Sequence, residues 1–147
     1  MNIKHGKVPI FWGLFSFYYY NNSMTIDDKL LQLKKSKFRS KIHLKEKDIE
    51  YIDEKGFSVI QRHATDFINK NMKVKLPNDG KQTPYHGHPV FIAQHATATC
   101  CRECFYKWYK VPKNATLGEK DINLIVKIIM KFIKNEYDEN KNPHHIK

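Results

Sequence analysis

Leu117-Gly-Glu-Lys-Asp-Ile-Asn-Leu-Ile-Val-Lys-Ile-Ile-Met-Lys-Phe-Ile-Lys-Asn-Glu-Tyr137 decides the fold class. Nine apolar residues between Ile122 and Ile133 cover most of a helix circumference. A helix apolar on so many sides must be wrapped by other elements. The segment therefore predicts a central buried helix over about 117–137, with Thr116-x-x-Glu119 as its capping box. Working back along the chain, Val111-Pro112 closes a helical stretch over about 89–109. Pro89 suits the first helical position, with His88 just before it. Phe57, Ile60, Ala64, Phe67 and Ile68 fall on one face of a helix over 57–71. A helix over 46–55 stops at Gly56, and one over about 26–36 starts from Thr25-x-x-Asp28. Residues 72–88, with the turn Pro77-Asn-Asp-Gly80, read as loop. No two alternating runs pair as strands. The expected fold is all-α: a single compact domain of about five helices, residues 24–137, followed by a polar tail, 138–147.

Residues 1–23 stand apart. Lys4 and Lys7 precede the aromatic run Ile10-Phe-Trp-Gly-Leu-Phe-Ser-Phe-Tyr-Tyr-Tyr20, which has the outline of a signal peptide but lacks a small-x-small cleavage site. Met24, directly before the Thr25 cap, reads as the true start, and 1–23 as an over-long start or an N-terminal extension. A membrane-surface anchor is the alternative for that run. No stretch reaches the roughly 18 apolar residues of a membrane span. Three cysteines are too few and too odd for a disulfide scaffold. A cytosolic protein is expected.

The chain carries 26 Lys and Arg against 15 Asp and Glu, a net charge of +11. Much of the excess lies in residues 34–47, where Lys34, Lys35, Lys37, Arg39, Lys41, Lys45 and Lys47 face Glu46 alone. Such a run is the electrostatic footprint of a nucleic-acid or other polyanion partner. Lys35, Lys37, Arg39, Lys41, Lys81, Arg102 and Lys107 are the candidate phosphate contacts. Trp108 is the candidate stacking residue, with Tyr85, Tyr106 and Tyr109 as further rings. A merely solvated lysine-rich surface is the competing explanation. Nothing has helix-turn-helix or zinc-finger spacing, so base-specific readout has no support.

Chemistry concentrates in residues 79–114. All three cysteines and three of eight histidines fall between His86 and Cys104. Cys101-x-x-Cys104 is a two-ligand unit that His88 or His95 would complete as a zinc site. In an unbroken helix this fails. His88 and His95 lie about 20° apart, but His95 and Cys101 are separated by about 120° and about 9 Å along the axis. One common site for His88, His95, Cys101 and Cys104 therefore requires a break between Thr97 and Cys100, or ligands from elsewhere such as His43 or His63. The same residues admit a catalytic reading, with His88 or His95 as general base, Cys101 as nucleophile and Gln94 beside them. A redox Cys-x-x-Cys pair and plain core packing of small cysteines are the other readings. Three cysteines cannot ligate a four-cysteine iron–sulfur cluster.

Three strings carry a family resemblance: Ser36-Lys-Phe-Arg-Ser40, Asp79-Gly-Lys-Gln-Thr-Pro84, and Gly87-His-Pro-Val-Phe-Ile-Ala-Gln-His-Ala-Thr-Ala-Thr-Cys-Cys-Arg102. They resemble the prokaryotic domain-of-unknown-function family 4186 over roughly residues 26–135. The resemblance supports the late start and implies no activity. Tyr109 stands where that pattern has His, and Asn114 where it has Gly, so Tyr109 is not a required ligand. The residues together point to a basic domain that binds nucleic acid over a His/Cys polar centre, with zinc as the one cofactor its donor types would suit. A Cys/His enzyme acting on an anionic substrate, and an interaction protein without chemistry, are the alternatives.

Overall fold

The computed structural model describes residues 25–143. Among them run six α-helices: α1 Ile26–Leu33, α2 Glu46–Lys55, α3 Phe57–Asn71, α4 Pro89–Ala96, α5 Arg102–Tyr109 and α6 Glu119–Lys141. A 3-10 turn, Arg39–Lys41, sits between α1 and α2. No strand occurs among the described residues, so the fold is all-α. The expected extension, residues 1–23, lies outside the described residues.

Helix α6 is the hub, packed against α1, α3 and α4. Ile122, Ile125, Val126, Ile128, Ile129, Met130 and Ile133 are buried along it. At about 2 kcal/mol per buried aliphatic side chain, this one helix supplies a large share of the driving force. Ile60, Ala64 and Ile68 form the buried stripe of α3 that meets it, with Phe57 and Phe67 half-buried at the margin.

The local rules explain most boundaries. The Thr25 hydroxyl accepts from the Asp28 N–H at 3.0 Å, and the Asp28 carboxylate accepts from the Thr25 N–H at 3.3 Å, a reciprocal cap. Gly56, at φ 87, separates α2 from α3 in a conformation that favours glycine. Three boundaries differ from expectation. Helix α1 stops at Leu33 rather than 36, where Lys34 caps it and a turn begins. Thr116 does not cap α6: the Asp121 carboxylate accepts from the Gly118 N–H at 2.8 Å, so the helix starts at Glu119. That helix also continues through Lys141, taking in residues expected as tail. The largest difference is the expected stretch 89–109, which is two helices.

Candidate metal centre at a broken helix

The break spans Thr97 to Cys101. Ala98 adopts φ 61, the left-handed region where an alanine is uncommon. Gln94 stabilises this geometry twice, because its backbone carbonyl accepts from the Thr99 N–H at 2.8 Å and its Nε2 donates to the Thr99 carbonyl at 2.9 Å. The Thr97 hydroxyl donates to the Ala93 carbonyl at 2.7 Å, and the Tyr109 hydroxyl donates to the Thr97 carbonyl at 2.6 Å. Gln94 is fully buried, its Oε1 without a hydrogen-bond partner. This residue, expected from sequence to be catalytic, fastens the break.

The break presents the cysteines. Cys101 is the N-cap of α5, and its Sγ accepts from the Cys104 N–H at 3.4 Å. That cap folds Cys104 back toward Cys101, while Cys100 precedes them in the chain. The three sulfurs all lie within 4.8 Å of one another. Cys100 and Cys101 are buried and Cys104 is half-buried. Loop 72–88 clamps the arrangement. The Asp79 carboxylate accepts from the N–H groups of Arg102 at 2.9 Å and Glu103 at 3.2 Å, and the Thr83 hydroxyl donates to the Cys100 carbonyl at 2.8 Å. An acid at a helix N-terminus is favourably placed for the helix dipole.

Charge is divided unevenly among the sulfurs. Hydrogen bonds from Cys100 and then Cys101 hold the Cys104 thiol well below its ordinary range, and the Arg39 guanidinium adds to the effect. Its neighbour Cys100 is pushed far up by hydrogen bonding to Cys101 and Cys104 and by burial. For Cys101 the bond with Cys100 pulls down, but Cys104 and burial outweigh it and leave the thiol raised.

The histidines are not members of the sulfur cluster. His88 caps α4, its Nδ1 accepting from the Val90 N–H at 3.0 Å, and its Nε2 lies 3.0 Å from His63 Nδ1. With Nδ1 an acceptor, Nε2 carries the proton and donates to His63. Both nitrogens are thus engaged within the protein, and His88, expected in the metal and catalytic sets, lies outside the sulfur cluster. His95 is buried under the Tyr85 ring, stacked at 3.8 Å, and its Nε2–H donates to the Thr83 carbonyl at 2.9 Å. Burial lowers its pKa; the Thr83 and Pro84 carbonyls oppose this, Arg39 lowers it further, and Cys104 raises it. His95 therefore neighbours the cluster without sharing its common point. The expected four-residue site resolves into three sulfurs, with Cys100 in place of both histidines. The Cys100-Cys101-x-x-Cys104 doublet was the signal in the sequence.

Both arginines expected on a nucleic-acid surface turn inward. Arg102 is fully buried, donating to the carbonyls of Met72 at 3.2 Å, Lys73 at 3.3 Å and Pro112 at 2.8 Å. It ties the end of α3 to the turn after α5. Arg39 is buried and donates to the His95 carbonyl. Lys35, Lys37, Lys41 and Lys81 are exposed, Lys107 is exposed 3.9 Å from Glu103, and Trp108 is half-buried against the core. Asp79 and Thr83, which hold the site together, carry no ligand signature in sequence.

No helix among the described residues is long and apolar enough to cross a membrane. The family model described as Domain of unknown function (DUF4186) matches residues 27–134. No solved structure matches the chain.

Proposed function

The chain belongs to the DUF4186 family, and within the matched region we propose that Cys100, Cys101 and Cys104 bind a thiophilic metal ion, zinc being the ion this donor set fits best. The observation that carries this reading is the convergence of the three sulfurs within 4.8 Å. Tetrahedral zinc, with zinc–sulfur bonds of about 2.3 Å, needs sulfur–sulfur edges of about 3.8 Å, which small side-chain rotations reach. Soft thiolates select zinc or monovalent copper over magnesium, calcium or manganese. The chemistry of the neighbours also fits. The N-terminus of α5 and Arg39 favour thiolate, the ligating form, at Cys104, while Asp79 and Thr83 hold the backbone around the site. When bound, zinc would act as a Lewis acid at whatever position its ligands leave open.

The count of three ligands favours one further reading. Structural zinc sites close with four protein ligands, whereas catalytic ones keep a position for water or substrate. A site of three cysteines leaves such a position, next to the cationic Arg39, and this supports an enzyme acting on an anionic substrate as the second reading.

The test is elemental analysis of protein purified under reducing conditions, followed by cobalt substitution. The expected result is about one metal per chain, with sulfur-to-cobalt charge transfer that weakens for each of Cys100→Ser, Cys101→Ser and Cys104→Ser. His88→Asn should leave it unchanged. Reduced wild-type protein that carries no metal and binds neither zinc nor cobalt would overturn the reading.

A further inference from the structure

The connector between α1 and α2 leaves an aromatic ring exposed among cations. Phe38 is 53% exposed, an unusual position for a phenylalanine unless something covers it. The ring is not loose. The Arg39 guanidinium carbon lies 5.5 Å from the Phe38 ring centroid and 5.9 Å from that of Trp108. Arg39 is in turn anchored to the His95 carbonyl, and the Trp108 carbonyl accepts from Lys29 Nζ at 2.8 Å. One buried guanidinium thus joins the connector to the end of α5 and holds Phe38 in place.

The surroundings are cationic. Lys35 and Lys37 flank Phe38, and Lys107 and Lys110 flank Trp108; all four are exposed. No acidic residue occurs between Asp28 and Glu46, nor between Glu103 and Glu119. Glu136, which approaches the far end of the connector, is occupied by His43 at 3.0 Å and by the Leu44 N–H at 2.9 Å. Glu103 lies 2.6 Å from Lys113 and 3.9 Å from Lys107, and among the described residues no carboxylate pairs with Lys35 or Lys37.

We infer that Phe38, steadied by Arg39 over Trp108 and flanked by Lys35, Lys37 and Lys110, is a stacking platform for single-stranded nucleic acid. An exposed, preorganised ring offers a face to an unstacked base, and lysines on either side meet the phosphates before and after it. A duplex hides its base faces and could use the lysines alone. Neither Phe38 nor any of these lysines belongs to the sulfur cluster; Arg39 is shared with the metal reading, and the substitutions below leave it in place.

The test is fluorescence anisotropy of a labelled oligothymidine of about twenty nucleotides with the full-length protein across a salt series. Wild type should bind at low salt, with log affinity falling against log salt by about 0.7 for each phosphate contacted. Phe38→Ala should weaken binding by about fivefold or more, the loss of one stacked base, while Phe38→Tyr keeps the affinity. Lys35→Gln/Lys37→Gln should flatten the slope by about one to one and a half. Lys70→Gln/Lys127→Gln, equal in charge but remote, should leave binding unchanged. Circular dichroism checks that each variant folds. Absent binding at low salt, wild-type affinity in Phe38→Ala, equal loss in the remote pair, or equal competition by duplex of the same length would each overturn the inference.

Discussion

His88 uses both ring nitrogens inside the protein. Nδ1 caps α4, Nε2 meets His63, and the ring packs edge-on against Tyr51 and Phe67. Burial, and then the charge of His63, pushes its pKa down to about 4 from an ordinary 6.5. The folded state therefore resists a proton that the unfolded chain accepts. His88 contributes its full stability above pH 6.5, and that contribution is lost as pH falls toward 4. Protonation would also remove the Nδ1 acceptor that caps the helix. Urea unfolding at pH 7 and pH 5 should show wild type losing about 1 to 2 kcal/mol from this residue. His88→Asn keeps an N-cap acceptor and should lose correspondingly less over the same interval. Equal pH dependence in the two proteins would refute the assignment. The N-terminal position of His88 was legible from Pro89 beside it. Its partner His63 was not, since 25 residues separate the two and only the docking of α3 on α4 brings them together.

At the scale of elements, the decisive feature is the interruption between α4 and α5. Helical geometry required a break near Thr97 if the histidines and cysteines were to meet, and a break is present there. Its cause was not legible. β-branched threonines weaken a helix, but the turn rests on Ala98 at φ 61 and on Gln94 holding Thr99 from backbone and side chain. Alanine in the left-handed region costs about 1 to 2 kcal/mol, and a β-branched residue costs more there because its second γ atom meets the backbone. Ala98 is also fully buried. Ala98→Val should destabilise the protein by about 3 kcal/mol and reduce bound metal together with it, measured by thermal melting and elemental analysis. A stable Ala98→Val protein with full metal content would show that the break does not position the sulfurs. Helices α2 and α3 were readable almost to the residue, because Gly56 punctuates them and the α3 stripe is regular. The cysteine arrangement was not, because helix angles assume the continuity that the break removes.

For the whole molecule, the all-α fold followed from one segment: a helix apolar on most sides needs neighbours on most sides, and α6 has α1, α3 and α4 around it. Among the described residues the buried core runs from Leu30 to Ile133, and the α1 cap begins at Thr25. A chain that starts at Met24 should therefore melt cooperatively within about 3 °C of the full-length chain by calorimetry. A collapse of cooperativity would place residues 1–23 in the fold. The arginines show what charge counting leaves out: Arg39 and Arg102 add to the basic total yet are consumed by backbone carbonyls. The cysteines carry a consequence for thermodynamic linkage. Their sulfurs are brought together by distant partners, with Thr83 reaching Cys100 across 17 residues and Asp79 reaching Arg102 across 23, yet the three proposed ligands themselves span only residues 100–104. An unfolded chain keeps that short chelating loop intact. A bound ion stabilises the native state only by the ratio of its affinities for the folded and unfolded forms. Metal should therefore raise the melting temperature by less than its affinity for the folded protein would suggest, and a denatured chain should still compete for the ion.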